Sequence, residues 1–534
     1  MKLSIKILGI FLFFFLTLQV AAQQTVALHP NYTQLVDFET GSKQCNFITV
    51  MKPYRYDLLA EHTDCDSLFA FGRVKKHKNW FLRKLREESF LAIDTLGFQL
   101  QIDPLAYLEF GNQLNTSSHV WTNTRAVRMQ GRIGEKLTFQ SFFFENQANM
   151  PQFIDDFVKK NNIIPGQGMS RAFHADSYDF SRSEGWISYS PSSVFNFQFG
   201  HGKRFIGDGY RSLLLSDNSF SYPFFQITTR IWNIQYVNLF TAFSNMKTSN
   251  YWISGYDKKY GSFHILSYYN KLGFEISLFE GIVWHGGDST ANRGFDVNYL
   301  NPIIFYRPVE FSLGSPDNAI LGANLKYKLL NNLQLYSQLV LDDIDFGESQ
   351  KGKGYLWNKF GFQFGGKYFD AFGISNLFLQ LEYNRVRPYT YSHRSDIQSY
   401  SHYRQPLAHP LGANFEEFIA LANYKLGDFQ LSLKANFAIY GADNDTTNWG
   451  GNIFLIEQTA SLGYPSWGNF TKQGFYTELL NFKAEIVYLL NPVTNLNIFT
   501  MLYFRKLDNN ISPSTDKIFT FGIRTSIENF YYDF

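Results

Sequence analysis

Long stretches in which apolar and polar residues strictly alternate are the feature that most constrains how this chain can fold. From 429 to 439 every second residue is apolar, and the positions between carry Gln430, Ser432, Lys434 and Asn436. The pattern recurs at 333–341, 377–384 and 519–528. Because a strand points successive side chains to opposite faces, each stretch has one apolar and one wet face. These stretches predict strands of about ten residues, enough to cross a bilayer at a tilt.

The connections between the predicted strands alternate between short and long. Reading strands between residues 105 and 528 gives about eighteen, an even number. Short connections rich in turn-forming residues lie at 134–135, 191–193, 270–273, 331–332, 426–428 and 491–493, and long ones lie at 146–183, 202–222, 244–259, 285–318, 387–412 and 441–472. Outer-membrane barrels combine short periplasmic turns with long extracellular loops. The sequence therefore predicts an all-β fold, a transmembrane antiparallel β-barrel of about 18 strands over residues 101–534.

The N-terminus predicts export. Lys2 and Lys6 precede an apolar stretch at 7–18, and small residues at 20–22 form a cleavage site, so residues 1–22 are predicted to be a signal peptide. Residues 23–100 are predicted to form a small, partly helical periplasmic pre-domain or plug. One amphipathic helix is expected at 79–90, with Phe81, Leu82, Leu85 and Ser89 on one face, and a second at 151–160.

The chain ends in Phe530-Tyr531-Tyr532-Asp533-Phe534, directly after the strand-like stretch 519–527. An aromatic last residue on a terminal strand is typical of outer-membrane barrels. We therefore predict that Phe534 contacts the barrel-assembly machinery, that the wall contacts outer-membrane lipid, and that the protein lies in a Gram-negative outer membrane. A large soluble β protein is the alternative, since such proteins also end on strands.

Charge and cysteine content restrict partners and chemistry. Two of the 48 Lys and Arg residues lie in the predicted signal peptide, so the remaining 46 balance 46 Asp and Glu. This neutral balance argues against a nucleic-acid partner, which requires an excess of positive charge. The only cysteines are Cys45 and Cys65. One disulfide in an oxidising periplasm and two buried thiols both fit this pair.

The most distinctive motif is Gly-His-Gly-Lys-Arg-Phe-Ile-Gly-Asp-Gly-Tyr-Arg-Ser-Leu-Leu-Leu-Ser-Asp-Asn at 200–218, followed by Tyr222-Pro223. It resembles the loop of the Wzi family of capsule-assembly proteins, and the segments 315–322 and 335–343 are similar to strand motifs of that family. Ile206 stands where the family usually has Trp. The variant at 205–212 is similar to that of Bacteroidota gliding-motility proteins of the RemB type. The resemblance implies an 18-strand barrel with periplasmic helices, associated with surface polysaccharide or motility.

The glycine-rich motif also has an interpretation that needs no ligand. Glycines at 200, 202, 207 and 209 permit backbone conformations closed to other residues, which predicts a loop folded into the barrel mouth. Arg204, Asp208, Tyr210 and Arg211 would then line the constriction. A phosphate-binding loop is disfavoured, because no helix follows Lys203 at the required spacing.

Aromatic and polar residues of the long loops are the candidates for glycan contact, because ring faces pack on sugar C–H groups and polar groups bind hydroxyls. The candidates are Trp252, Tyr256, Trp284, His285, Asp288, Tyr306, Arg307, Trp449, Tyr464 and Trp467. For each of them, the aromatic girdle of a barrel at the membrane interface is the alternative.

Catalysis has little support in the sequence. The histidines, including His285, His393, His402 and His409, match no metal site or nucleophile triad, and Ser216 and Asp217 have no base nearby in sequence. No cofactor and no metal are expected. A non-enzymatic protein that binds surface polysaccharide is the favoured hypothesis, an outer-membrane channel is the alternative, and an outer-membrane hydrolase is less favoured.

Overall fold

A computed structural model describes residues 25–42, 47–69, 77–116, 118–174, 176–246, 256–287, 293–302, 317–343, 345–444, 446–456 and 465–534. The predicted signal peptide and Cys45 lie outside the described residues. The same holds for five of the candidate glycan-binding residues, namely Trp252, Asp288, Tyr306, Arg307 and Tyr464.

Eighteen antiparallel strands in the described part of the chain form the wall of one closed barrel. In chain order they are β1 Phe98–Gln113, β2 His119–Ile133, β3 Leu137–Asn149, β4 Ser177–Tyr189, β5 Phe195–Gly202, β6 Tyr222–Ile231, β7 Ile234–Asn245, β8 Asp257–Tyr269, β9 Phe274–His285, β10 Asn318–Leu330, β11 Leu333–Asp343, β12 Lys359–Tyr368, β13 Leu377–Val386, β14 Phe415–Leu426, β15 Phe429–Ala442, β16 Phe475–Asn491, β17 Leu496–Asp508 and β18 Ser514–Thr525. Each strand pairs with the next, and β18 closes on β1. The predicted fold class and strand number are confirmed.

Several strand boundaries differ from the prediction, and three of them are informative. β1 begins at Phe98 rather than 105. The alternation of apolar and polar side chains continues on the N-terminal side of Pro104, although proline ends most strands. β4 begins at Ser177 rather than 184. β18 ends at Thr525 rather than 528, because the backbone N–H of Ser526 donates to the carbonyl of Asn495, 3.2 Å away, and the chain leaves the wall.

The two faces of the wall differ as a bilayer-spanning barrel requires. The outer face exposes large apolar side chains, among them Phe110, Phe143, Phe199, Phe364, Leu381, Phe418, Phe482, Ile486 and Phe521. The inner face carries buried amides, among them Gln130, Gln140, Gln198, Gln226, Gln338, Gln363, Asn384, Asn436 and Asn481. Lys434 and Arg524 also point inward, where they contact Asp533 and Glu485 at 2.7 Å each. The register predicted from alternation is confirmed at these positions, and the fold is that of an outer-membrane β-barrel.

Short helices and strands accompany the wall. The helices are α1 Pro30–Ser42, α2 Tyr56–Ala60, α3 Cys65–Phe69, α4 Trp80–Arg86, α5 Gln152–Asn161 and α6 Phe346–Gln350, and single 3-10 turns lie at Val297–Leu300, Ala371–Gly373 and Asp396–Gln398. Two-residue and three-residue strands lie at Met51–Lys52, Ile163–Ile164, Gly168–Met169, Arg171–Phe173, Phe205–Ile206, Ser401–His402 and Gln405–Pro406, and a longer one lies at Leu91–Thr95. None of the described helices has the length and apolarity needed to cross a bilayer.

The two predicted helices fare differently. The helix expected at 151–160 forms as α5, with Pro151 at its N-cap and Ile154 and Val158 buried. The helix expected at 79–90 forms only over 80–86, capped by Asn79, whose side chain accepts from the N–H groups of Phe81 and Leu82. Phe81 and Leu82, predicted for the apolar face of this helix, are both exposed. The predicted helix is therefore present but shorter than expected.

Four segments fill the lumen and form the largest buried core. They are the N-terminal segment, described over 25–42 and 47–69, the glycine loop 203–221, the long loop 387–412 and the C-terminal tail 526–534. The N-terminal segment lies at the end with short turns, where Asp37 contacts Lys367 at 2.5 Å and Gln430 donates to Asn31 at 3.0 Å. The core that these segments share with the wall includes Ile206, Leu213, Leu214, Leu215, Tyr391, Tyr400, Leu407 and Ile527.

Candidate functional site

The glycine loop runs far into the lumen and meets the N-terminal segment there. Phe205–Ile206 pairs with Met51–Lys52 as a two-stranded sheet, and the N–H of Gly207 donates to the carbonyl of Val50 at 2.7 Å. Gly207 has a φ of +143°, a conformation that other residues rarely adopt. The sequence predicted a constriction at the mouth, whereas the structure places this loop deeper, between the N-terminal segment and the wall.

Asp208 holds this junction to the wall. It accepts from Thr49 at 2.6 Å and from Asn324 at 2.8 Å, and Lys326 lies 3.9 Å away. Lys326 also pairs with Glu275 at 2.6 Å. Burial alone would raise the pKa of Asp208, but the nearby lysines, Lys326 first, outweigh it and hold the pKa below its ordinary value. Asp208 is therefore an ionised residue that ties the glycine loop to the N-terminal segment and the wall.

Arg211 is the centre of a second buried group, which we call the Arg211 cluster: Tyr210, Arg211, Glu417, Lys434 and Asp533. The Arg211 guanidinium contacts the carboxylates of Glu417 and Asp533 at 3.0 Å each. Lys434 pairs with Asp533 at 2.7 Å, and the Tyr210 hydroxyl donates to the same carboxylate at 3.1 Å. Asp533 belongs to the C-terminal tail, so the cluster joins the glycine loop, two wall strands and the chain end.

The charges of this cluster are matched inside the protein. Burial alone would raise the pKa of Asp533, but Arg211 and then Lys434 outweigh it and hold the pKa well below its ordinary value. His409, from the long loop 387–412, donates from Nε2 to Glu417 at 2.6 Å, and its Nδ1 accepts from the N–H of Leu411 at 3.1 Å. Burial lowers the pKa of His409 despite the neighbouring carboxylate. A neutral imidazole donating to an anion fits this geometry.

The C-terminal tail does not continue the wall. Tyr531 donates to Asp217 at 2.8 Å, Gln167 donates to the Tyr532 hydroxyl at 2.8 Å, and the Phe534 ring contacts Phe157 of α5 at 5.1 Å between centroids. Phe534 was expected at the end of the terminal strand. It lies instead inside the barrel beneath a long loop, because the chain turns inward after Thr525. Its role in assembly stays a prediction.

The long loop 387–412 covers the glycine loop. The Tyr391 and Tyr400 hydroxyls donate to the carbonyls of Leu213 and Leu214, at 2.7 and 2.6 Å. His402 lies among aromatic rings, accepts at Nδ1 from the N–H of Ser244 at 3.0 Å and contacts the carbonyl of Ser221 at 3.3 Å through Nε2. Burial lowers the pKa of His402 to about 3. This histidine is a neutral core residue.

A cavity of about 250 Å³ lies inside the barrel. It lies between the C-terminal tail and the inner faces of β1–β4 and β15–β18. Its lining runs from Ala106 and Ser526, near the short-turn end, to Pro151 and Phe153, near the long-loop end. Basic and acidic side chains are mixed along it: Arg182, Lys434, Lys483 and Arg524 face Glu109, Glu485, Glu528 and Asp533. This mixture matches no single class of charged ligand.

A separate surface lies on the loops at the long-loop end. We call residues 345–358, 446–451 and 465–474 the outer ledge. Its parts are tied together, since the N–H of Leu356 donates to Ser466 at 2.8 Å, the N–H of Gly468 to Lys353 at 2.8 Å and Arg387 to Asn469 at 3.0 Å. The backbone that carries the ledge is therefore held by hydrogen bonds between its segments.

Two predicted glycan-binding residues stand on this ledge with exposed rings. Trp467 is 49% exposed, lies 5.8 Å from Tyr355 between ring centroids, and donates from Nε1 to Glu348 at 3.1 Å. Trp449 is 39% exposed, and its carbonyl accepts from Gln473 at 2.9 Å. Gln473 also donates to Asn469 at 3.2 Å, which connects the two tryptophan segments.

The other described candidates lie elsewhere. Trp284 is fully buried, with Tyr299 at 4.6 Å between ring centroids and Ile282 in the same apolar cluster, so it is a core residue in this structure. Tyr256 contacts Met169 and Tyr403. His285 ends β9 opposite Lys259. Arg204, a constriction candidate in the glycine loop, is buried against the inner face of the wall, where it donates to Gln198 at 3.0 Å and Gln226 at 2.9 Å.

Nothing in the described chain groups three or more His, Cys, Asp or Glu side chains as a metal would require. Ser216, considered as a nucleophile, is buried against the backbone of Leu407. Cys65 is buried in α3, and its possible partner Cys45 is outside the described residues. The disulfide question therefore stays open.

Comparison with known proteins gives a likeness of fold. No family profile matches the chain, and no curated protein sequence matches it. Wzi, an outer-membrane protein involved in group 1 capsule assembly in Escherichia coli and described as a carbohydrate-binding β-barrel, is similar with a TM-score of 0.56 and 13% identity, over 95% of this chain and 100% of that chain. The likeness establishes the fold.

Two further solved structures are similar at lower scores. OprD of Pseudomonas aeruginosa has a TM-score of 0.43 and 10% identity, over 82% of this chain and 98% of that chain. OpdK of the same organism has a TM-score of 0.42 and 11% identity, over 79% and 97%.

Sequence reasoning missed the supporting residues of the ledge, namely Glu348, Tyr355, Asn469 and Gln473. They lie in two loops more than a hundred residues apart, and each is an ordinary loop residue in its own context. A weak signal was present, since Tyr355 and Trp357 add two rings to a loop that already follows the acidic end of β11.

Proposed function

We propose that the protein binds surface polysaccharide outside the outer membrane, with the outer ledge as the contact surface, and that it acts without catalysis. The observation that carries the proposal is the pair of exposed tryptophans, Trp449 and Trp467, on loops fixed by hydrogen bonds. Ring faces that are already held lose little freedom when a sugar packs on them. Glu348 and Lys351, which pair at 2.5 Å beside Trp467, supply polar groups for hydroxyls.

The similarity in fold to Wzi supports the same proposal, because that protein is described as carbohydrate-binding. Association with gliding motility rests on the loop motif at 205–212 and is the finer prediction. A clean deletion strain, scored for both polysaccharide retention and surface spreading, tests the two roles together. We expect loss of retained polysaccharide, restored by the wild-type gene. Normal retention in the deletion strain would contradict the proposal.

The channel hypothesis is the second candidate, and the cavity beside the C-terminal tail is the observation that favours it. Four segments occupy the rest of the lumen, and the Arg211 cluster lies across its middle. A conducting state would therefore require the tail to move. Conductance of the purified protein in planar bilayers tests this candidate. Steady large currents from the wild-type protein would favour the channel over the binding hypothesis.

A further inference from the structure

The segment 77–96 places an apolar surface at the short-turn end of the barrel, the end that faces the periplasm in outer-membrane barrels. Trp80 and Phe81 of α4 are 59% and 62% exposed. The large apolar residues that follow are exposed as well, namely Leu82, Phe90, Leu91, Ile93 and Leu96. An exposed apolar surface of this extent marks an interaction site.

This surface continues the lipid-facing side of the wall. Within the described chain, the strand Leu91–Thr95 pairs on one side only, with β1. Leu91 stands opposite Ile102, and Ile93 stands opposite Leu100. Opposite residues of an antiparallel pair share a face, and Asp103 of β1 is buried inside against Arg128. Ile102 and Leu100, together with Leu91 and Ile93, therefore face outward.

Helix α4 is fixed beside this outer face. Arg86 donates to the Tyr488 hydroxyl of β16 at 2.9 Å, and Asn491 at the end of β16 donates to the carbonyls of Lys84 and Glu88 at 3.1 Å each. Arg83 and Lys84 lie 3.3 and 3.2 Å from Glu88. The stretch 77–90 has four Lys or Arg side chains against two Glu, a net positive charge next to exposed aromatic rings.

We propose that α4 and the strand Leu91–Thr95 lie in the periplasmic leaflet of the outer membrane, with Trp80 and Phe81 inserted among phospholipid chains and the basic side chains at the phosphate groups. Interfacial helices combine an apolar face with basic residues and insert about 5–10 Å into the headgroup and acyl boundary. Tryptophan prefers this boundary because its ring is amphipathic. The contact with lipid is independent of the glycan proposal and anchors the chain next to the start of β1.

Quenching of tryptophan emission by brominated lipid tests the proposal. The full-length protein is reconstituted into vesicles of phosphatidylcholine and phosphatidylglycerol, with bromine on the phosphatidylcholine chains near the headgroup. We expect Trp80→Phe to remove part of the lipid-quenched emission. Trp467→Phe, which removes a ring of similar exposure on the outer ledge, should leave the quenched part unchanged. Bromine near the bilayer centre should quench Trp80 less.

Two results would overturn the proposal. One is equal lipid quenching in wild type and Trp80→Phe. The other is Trp80 emission that stays open to iodide in vesicles and becomes protected only when periplasmic protein is added, which would assign the surface to a protein partner. Because both substitutions keep an aromatic ring, the heat-modifiable mobility of the folded barrel serves as the folding control.

Discussion

The Arg211 cluster and the outer ledge both combine aromatic and charged side chains, yet they differ in what those side chains face. In the cluster, Arg211 and Lys434 face the carboxylates of Glu417 and Asp533 within the lumen. On the ledge, the polar groups of Trp467 and Trp449 are bound to neighbouring loops, while their rings remain exposed. The cluster locks segments together, whereas the ledge retains surface for a ligand. The exposure of the aromatic rings on the ledge separates the two regions.

Replacing Arg211 should have the largest effect on this comparison. Arg211→Met leaves two buried carboxylates with fewer cations, and breaking a buried pair of this kind costs about 3–5 kcal/mol. We expect a lower temperature for the loss of heat-modifiable mobility and protease access to the tail at 526–534. Lys159→Ala, which removes the exposed partner of Asp155 on α5, should change little. Similar behaviour of the two variants would show that the cluster does not hold the glycine loop and the C-terminal tail in the lumen.

Two neighbouring residues of β15 test which face of the wall points to lipid and which to the lumen. Leu433→Arg places a charge on the lipid side, at a cost of about 2–4 kcal/mol near the bilayer midplane. Lys434→Ala removes a lumenal contact to Asp533 and leaves the outer face unchanged. The yield of folded barrel should fall much more for Leu433→Arg. Equal yields would refute the assigned register.

Acidification should favour opening of the long loop 387–412, which covers the glycine loop, before it affects the ledge. Burial lowers the pKa of His402 to about 3, while a released loop would restore the ordinary value of 6.5. The open form then binds the proton that the closed form excludes, so the closed form loses about 2 kcal/mol between pH 7 and pH 5. The protection factors over 387–412, which divide out the pH dependence of intrinsic amide exchange, should fall as the pH falls across this range, and less so in His402→Gln. Equal protection factors at both pH values would contradict this.

The orientation of the barrel in the membrane decides whether the ledge faces the outside of the cell. It can be tested with substitutions that should leave stability unchanged. Arg394 lies on the long loop 387–412, and Leu426 is the last residue of β14, next to a short turn. We expect Arg394→Cys to react with a membrane-impermeant thiol reagent on intact cells, and Leu426→Cys only after the outer membrane is opened. Labelling of Leu426→Cys alone on intact cells would reverse the topology.

The wall was predictable from sequence because each strand carries its own evidence. Alternation fixes the face of Lys434, and turn-forming residues mark the ends of strands at 331–332 and 426–428. The lumen was not predictable, because its contacts join residues hundreds of positions apart. The motif at 530–534 is compatible with a strand end, and only the partners of Asp533 and Tyr531 show that it folds inward. Trp284 and Trp467 likewise look alike until the surrounding residues are known.

Direct binding of polysaccharide to the purified protein tests the central claim. Trp449→Ala combined with Trp467→Ala should weaken binding of polysaccharide from the same cells about tenfold or more, because each stacking contact contributes about 1 kcal/mol. Barrel folding should be unchanged, since exposed loop positions contribute little to the core. Trp232→Ala is the matched control, because Trp232 is 91% exposed at the turn between β6 and β7, on the opposite end of the barrel. Wild-type affinity in the double variant would contradict the account.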